Sequence, residues 1–432
     1  MGAGHVLWIG AGLGVVGAYL CWRRPDWAWW WVLTWSVGLE VIHHWYQGLG
    51  QYLPFAGGAV GAVLGVGLPP EMVGALRRAR GRILLFALYV LSIGLSTLVS
   101  IDRPLSARYV LGVPVVLWLT ALTLPVLLVR GRLALYDILA GLAGAGVVLS
   151  LAAGIAAMGF HSGFPVPVGR RVLLAWQWPF ANKNTLGMLI MYALPAAVGL
   201  SADPGAKPRA RRLWSLASVW LFLALMLSYA RTAWIAGAAG VAMVLLLRFG
   251  KQAFFALAGG GAVLIGVAVA VTGIKRWQQL WAKGLNGRVG LWQAALKVLH
   301  HRPFLGTGPG TSPAAIRPYV APAFAGLTPH DTLLRTAVEL GGLGLLIWVA
   351  LAVGALYRLW FSPPARGQYL VRVLGAVMIA SLVEQMAESL LLGGVSFGDF
   401  FFTLLVGLGW MLGVILPAKP LGRDNAVGES PY

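Results

Sequence analysis

Residues 213–247 read LWSLASVWLFLALMLSYARTAWIAGAAGVAMVLLL, a stretch whose single charge is Arg231. One continuous helix over these 35 residues would be about 52 Å long, well beyond the ~30 Å of hydrocarbon that a single crossing needs. The polar interruption Ser228-Tyr229-Ala230-Arg231-Thr232 sits near the middle and resolves the excess. Two crossings meet there in a tight apex that carries Arg231. A helical hairpin of this kind predicts an all-α, polytopic membrane fold.

Composition agrees with the hairpin. The 432 residues are 59% hydrophobic and 11% charged, with a mean hydropathy of +0.79. Soluble domains carry roughly 45–50% apolar and about 25% charged residues, so this chain cannot cover itself with a solvated surface. Working outward from the hairpin, further candidate spans fall at 5–21, 27–42, 53–69, 83–101, 109–129, 133–157, 183–200, 253–272, 332–357, 372–392 and 398–416. With the two hairpin arms, 213–229 and 233–247, the expectation is 12 or 13 crossings, the glycine-rich 53–69 deciding which. The implied organisation is a transmembrane bundle over 1–272, one large helical extracytoplasmic loop over 273–330, C-terminal transmembrane helices over 331–417 and a cytoplasmic tail over 418–432.

Basic residues orient the spans. Arg77, Arg78, Arg80 and Arg82, then Arg130 and Arg132, then Lys207, Arg209, Arg211 and Arg212 cluster between crossings, as do Arg248 with Lys251 and Arg358 with Arg366 and Arg372. All fall on one side of the tracing, the cytoplasmic side by the positive-inside rule, and the 273–330 loop falls on the other. The formal net charge of +20 is spread in the same way between apolar spans, which argues against a nucleic-acid partner. The single cysteine, Cys21, excludes a disulfide framework and a cysteine zinc site. It follows the bulky Leu20 with no basic segment ahead of the first apolar run, so a removable signal peptide is not expected.

The long stretch that breaks the apolar pattern runs from 286 to 341. It opens Asn286-Gly287-Arg288-Val289-Gly290-Leu291-Trp292, continues His301-Arg302-Pro303-Phe304-Leu305-Gly306-Thr307-Gly308-Pro309-Gly310, and closes with Thr328-Pro329-His330-Asp331 and Glu339-Leu340-Gly341. Asn286 is placed to cap a helix of about 286–301, on which Arg288, Trp292, Ala295 and Leu299 share a face. That face suits either an amphipathic helix resting on the membrane or a cation beside an indole that receives phosphate and sugar. Thr328 reads as a helix N-cap with Pro329 at the first helical position, which puts His330 in the first turn, beside the positive end of the helix dipole. A neutral histidine can accept a proton from an attacking hydroxyl; a histidine satisfied at a membrane boundary is the plainer alternative. Gly306, Gly308 and Gly310 have no strand before them, which disfavours a dinucleotide loop and leaves a tight external turn.

The ordered set resembles the large loop of the O-antigen ligase and O-antigen polymerase superfamily. Its elements are Gly287-Arg288, Trp292 four residues later, Pro303-x-x-Gly306-x-Gly308, and His330 before a helix reaching Glu339-x-Gly341. Members are membrane glycosyltransferases that take sugar chains from a polyprenyl diphosphate carrier. The resemblance covers about 90–360, most specifically 180–345. It implies three catalytic residues: Arg231 and Arg288 on the diphosphate, and His330 as base for the acceptor hydroxyl. Arginine suits the first role because its planar fork makes paired, charge-assisted hydrogen bonds; an interfacial anchor is the other reading of Arg231. The resemblance extends to Phe180-x-Asn182-x-Asn184, so Asn182, Lys183 and Asn184 join Trp292 and Asp331 as substrate-binding candidates, although Asn182 also suits a plain helix start. Where the family often has asparagine after the histidine, this chain has Asp331, which could bind acceptor or only cap the helix.

The implied partners are an undecaprenyl-diphosphate-linked glycan, membrane lipid, and an acceptor hydroxyl on a glycan, a glycolipid such as the lipid A core, or a protein. Ligase, polymerase and protein O-oligosaccharyltransferase share the loop pattern. The implied location is the bacterial cytoplasmic (inner) membrane, with the active site on its outer face. No cofactor is expected, and no metal, because carboxylates on the outer face are few. His43 and His44, beside Glu40 and Trp45, suit the membrane interface. A rival class is a secondary transporter or flippase using Glu384 and Glu388, four apart in an apolar span and therefore on one helix face. The same acids could pair with arginines of neighbouring helices as scaffold.

Overall fold

A computed structural model describes residues 3–42, 51–67, 70–168, 171–180, 182–272, 288–362 and 368–415. His43, His44 and Trp45, residues 273–287 of the 273–330 loop with the proposed cap Asn286, and the 418–432 tail lie outside the described residues.

The fold is a bundle of apolar helices. At the N-terminus α1 (Ala3–Arg23), α2 (Ala28–Ile42) and α3 (Leu53–Val66) pack together. A Cβ on Gly57 or Gly61 would strike the backbone of Gly14 or Ala18, so glycine is what lets α3 lie directly on α1. The short α4 (Pro70–Arg78) leads into α5 (Arg80–Leu98). Asp102 starts α6 (Arg103–Trp118) by accepting from the Leu105 amide at 3.0 Å. A π-turn over Leu119–Thr123 joins α6 to α7 (Leu124–Val129), and α8 (Leu135–Gly159) follows. An antiparallel hairpin of β1 (Phe164–Val168) and β2 (Arg171–Ala175) is a small departure from the all-α expectation.

Helix α9 (Lys183–Ala202) runs through the centre and is largely buried. The Tyr192 hydroxyl meets Ser381 Oγ at 2.6 Å, and the ring packs on Phe397 and Phe401. Helices α10 (Pro208–Leu227) and α11 (Arg231–Thr272) form the expected hairpin. Its apex is pinned by Tyr229 at φ 53°, by Ser228 Oγ donating to the Leu225 carbonyl at 2.7 Å, and by the Trp234 indole donating to the same carbonyl at 2.6 Å. Outward on α10, Leu213, Leu216 and Val219 are each exposed by more than half, which suits lipid rather than water. The long α11 breaks at Gly250 (φ 77°), between Arg248 and Lys251, where two separate crossings are expected.

The remaining helices are α12 (Arg288–His301), α13 (Ser312–Ile316), α14 (Thr332–Phe361), α15 (Tyr369–Glu384) and α16 (Phe397–Ile415). Seven helices among the described residues are long and apolar enough to cross a membrane, and Leu7–Arg23, Leu53–Val66 and Phe397–Leu412 are shorter apolar helices. The chain is an all-α, multi-pass membrane protein.

Three local expectations need correction. The span over 372–392 is not one helix: α15 stops at Glu384, and the chain turns through 385–396 before α16. Helix α14 is capped by Asp331 rather than Thr328, its carboxylate accepting from the Leu334 amide at 2.8 Å, so His330 precedes the helix instead of lying in its first turn. The Gly306–Gly310 turn is buried, not external. Thr307 and Gly308 donate backbone N–H to the carbonyls of Val338 and Glu339 at 2.9 and 3.0 Å, and the Gly310 amide donates to the Glu339 carboxylate at 2.9 Å. Helix α14 breaks against this turn at Gly341 (φ 69°), where a Cβ would strike the Phe304 backbone.

Candidate active site

Apolar packing brings the polar loop to the bundle. Helix α12 buries Leu291, Ala294, Ala295 and Val298 against Ile316 and Val338 of α13 and α14, so it rests on protein along that face. Arg288 opens this helix at the edge of the buried face. The Trp292 indole N–H donates to the Pro329 carbonyl at 3.0 Å and so braces the backbone just before His330. His330 has φ 50°, a left-handed conformation that a side-chain-bearing residue adopts only when its surroundings impose it.

The other half comes from the turn after α15. Thr332 donates its amide to the Gln385 carbonyl at 3.0 Å and its hydroxyl to the Glu388 carbonyl at 3.0 Å, and accepts from the Leu390 amide at 2.9 Å. The Asp331 amide donates to Ser389 Oγ at 3.1 Å, and Arg335 donates to the Ser389 carbonyl at 3.0 Å. These bonds strap 385–390 to the start of α14 and fix Glu388 beside His330.

Glu388 is the point on which the site converges. Its Oε2 lies 3.3 Å from His330 Nδ1; its Oε1 lies 3.1 Å from Asn184 Nδ2 and 3.5 Å from Arg288 Nη2. Side-chain exposure is 31% for His330, 22% for Arg288 and 18% for Glu388, so the cluster is neither sealed nor fully solvated. Asn184, Arg288 and His330 thus share one carboxylate.

The hairpin apex borders this cluster. Lys183 Nζ donates to the Tyr229 carbonyl at 3.3 Å, and Thr232 Oγ1 donates to Glu384 Oε1 at 3.3 Å. Arg231, the exposed first residue of α11, is therefore at the same end of the bundle as His330 and Arg288. Asn182 caps α9 by accepting from the Asn184 amide at 2.9 Å, so the helix-start reading of this residue holds in the structure. For Asp331 the structure gives the capping role. Burial raises its carboxyl above the usual range, against the pull of the Leu334 and Leu333 amides.

The structure thus groups His330, Arg288, Asn184 and Trp292 directly, with Arg231, Lys183 and Asn182 alongside. Sequence reading had placed Glu388 on a transmembrane helix face with Glu384; instead Glu384 ends α15, buried, and Glu388 lies in the turn beyond it. Gly393-Gly394 signals a helix end only after 392, and nothing in 385–392 itself announces the earlier stop at Glu384. Asn182, Asn184 and Glu388 also line a cavity of about 250 Å³ that reaches Arg335, Glu40 and Asp399. Among the described residues, no group of three or more His, Cys, Asp or Glu side chains is placed to hold a metal ion.

No curated protein matches the chain. Residues 216–349, from the first arm of the hairpin through α12 and His330 into α14, match the family model described as O-antigen ligase. Over that segment, about a third of the chain, it is similar to the O-antigen ligase family, in keeping with the resemblance carried by Arg288, Trp292 and His330.

Proposed function

We propose that the protein moves an oligo- or polysaccharide from undecaprenyl diphosphate to an acceptor hydroxyl on the outer face of the membrane. The observation that carries this reading is the convergence of His330, Arg288 and Asn184 on Glu388, next to the hairpin apex with Arg231. With Nδ1–H of His330 donated to Glu388, Nε2 is the nitrogen left to act as base, the arrangement in which a carboxylate fixes the tautomer of a catalytic histidine. The acceptor oxygen forms a bond to the anomeric carbon as its proton passes to Nε2. The bond from that carbon to the diphosphate oxygen breaks, and the electron pair leaves with undecaprenyl diphosphate. Arg231 and Arg288 stabilise the charge that grows on this leaving group. A single displacement inverts the anomeric centre.

The site then faces the outside by the positive-inside rule, because the Arg/Lys clusters between spans fall on the other side of the span tracing from the polar loop. Phe304 is exposed, so in a Cys21→Ser background Phe304→Cys should react with an impermeant thiol reagent on right-side-out vesicles. Reaction only after the inner face is opened contradicts the orientation. The reaction itself is tested by incubating purified protein with lipid-linked oligosaccharide and, separately, a lipid A core glycolipid, a growing glycan and a protein acceptor. Ligase activity is expected as transfer to the first; transfer to none contradicts the reading.

A further inference from the structure

The cavity of about 250 Å³ beside Glu388 is a different chemical environment from the cationic approach next to it. Its lining includes the carboxylates of Glu40, Glu388 and Asp399, the amides of Asn182 and Asn184, and the hydroxyls of Thr185, Ser389 and Ser396. Among the described residues Arg335 is the cation of the lining, and it is already engaged with Glu339 at 3.0 Å and the Ser389 carbonyl at 3.0 Å. Lys183, Arg231 and Arg288 are not part of the lining. Walls rich in acid and amide oxygens, with the lining arginine already engaged, offer phosphate no partner, whereas those oxygens accept hydrogen bonds from neutral hydroxyls.

The walls are held by the scaffold. Asp399 Oδ1 accepts from the Leu391 amide at 2.6 Å, Ser389 Oγ accepts from Asp331, and Asn182 caps α9. A preformed concave site with convergent polar groups is the usual form of a small-molecule site. This one is smaller than the ~300–1,000 Å³ that houses drug-sized ligands. It suits about one sugar ring.

We infer that this cavity seats a single uncharged sugar residue, held by its hydroxyls next to His330 and Glu388, and excludes sugars bearing carboxylate or phosphate. The inference rests on the proposed glycosyl transfer and adds to it a division of the site: diphosphate on the arginine side, neutral sugar on the carboxylate side. Two substrates could supply that sugar, the terminal residue of the acceptor or the first residue of the donor glycan.

Two variants test the seat in the full-length protein. Ser396→Leu fills the cavity, and Thr185→Val removes one hydroxyl at nearly constant volume. Ser396→Leu should raise KM for one substrate at least about tenfold, and Thr185→Val roughly 2- to 10-fold. A rise for acceptor assigns the seat to the acceptor's terminal sugar; a rise for donor assigns it to the donor's first sugar. In parallel, saturation-transfer NMR on protein in nanodiscs should show binding of methyl hexosides but not methyl hexuronides, with the hexoside signal lost in Ser396→Leu. This second readout does not need turnover. If wild-type protein transfers no glycan but binds hexoside in the cavity, the proposed function fails and the sugar seat stands. KM values within twofold of wild type in both variants, or hexoside binding indifferent to Ser396→Leu, overturns the seat.

Discussion

The 288–341 and 384–396 stretches meet at Glu388, and they differ in how openly they show it. The 288–341 stretch is visibly polar, with Arg288, Trp292, the spaced glycines and His330 set off from the spans around them. The 384–396 stretch, which supplies Glu388, is embedded in Leu-, Gly- and Ala-rich sequence and reads as the end of a crossing. Polarity announces the first; the second shows only when 385–390 is seen strapped to the start of α14. An acid in an apolar run is therefore better judged by where its helix stops than by which helix face it shares. If this comparison is right, changes at the polar side chains of the two stretches should produce defects of one kind, a loss of transfer, while changes where Gly341 meets the Phe304 backbone should produce another, a loss of stability.

The largest effect is expected at His330. His330→Ala should lower transfer by ~10²–10⁴, the usual contribution of a positioned general base, with binding of the lipid-linked donor retained in a flotation assay. Full transfer by this variant would remove the base from the mechanism. Next come Arg231→Ala and Arg288→Ala, each expected to cost about 10²–10³ in rate, with lysine a poor replacement because a point charge cannot reproduce the fork. Rescue by lysine to near wild-type rate would argue for a simple anchoring charge.

A smaller and different loss is expected at Gly341. Its φ of 69° and the contact a Cβ would make with Phe304 backbone make Gly341→Ala destabilising, by roughly 1–3 kcal/mol from backbone strain alone. Thermal unfolding in detergent should show a lowered midpoint; an unchanged midpoint would mean that the α14 break relaxes without cost. The smallest effect is expected from chelation. Transfer should survive EDTA, since in the proposed reaction arginines rather than a metal ion meet the diphosphate. A loss restored by magnesium or manganese would sink that assignment.

Much of the fold could be read from the sequence because lipid imposes length and polarity rules on each crossing. The α10–α11 hairpin followed from 35 residues that are too long for one span, and Gly250 breaks α11 where Arg248 and Lys251 demand an aqueous face. Arg288, Trp292, Asn184 and His330 were also legible, through the spacing of a resemblance. Three features were not. The cap of α14 moved from Thr328 to Asp331 because the His330 backbone takes a left-handed turn that no local preference demands. The glycine turn is buried because the Glu339 carboxylate, 29 residues away from Gly310 in sequence, supplies its partner. Glu388 escaped because tertiary hydrogen bonds from Thr332 and Arg335, not its own neighbours, decide where it sits.

The account turns on Glu388 acting with His330 as one unit. A double-mutant cycle on transfer rate tests this most directly, using Glu388→Gln, His330→Ala and the double variant with a radiolabelled donor so that residual rates can be followed. Glu388→Gln alone should cost roughly 10- to 100-fold, as expected for losing a hydrogen bond to a charged group. In the His330→Ala background the same change should cost much less, giving a coupling of about 0.5–3 kcal/mol between the two residues. Losses that simply multiply would show that Glu388 and His330 act independently and would contradict the account.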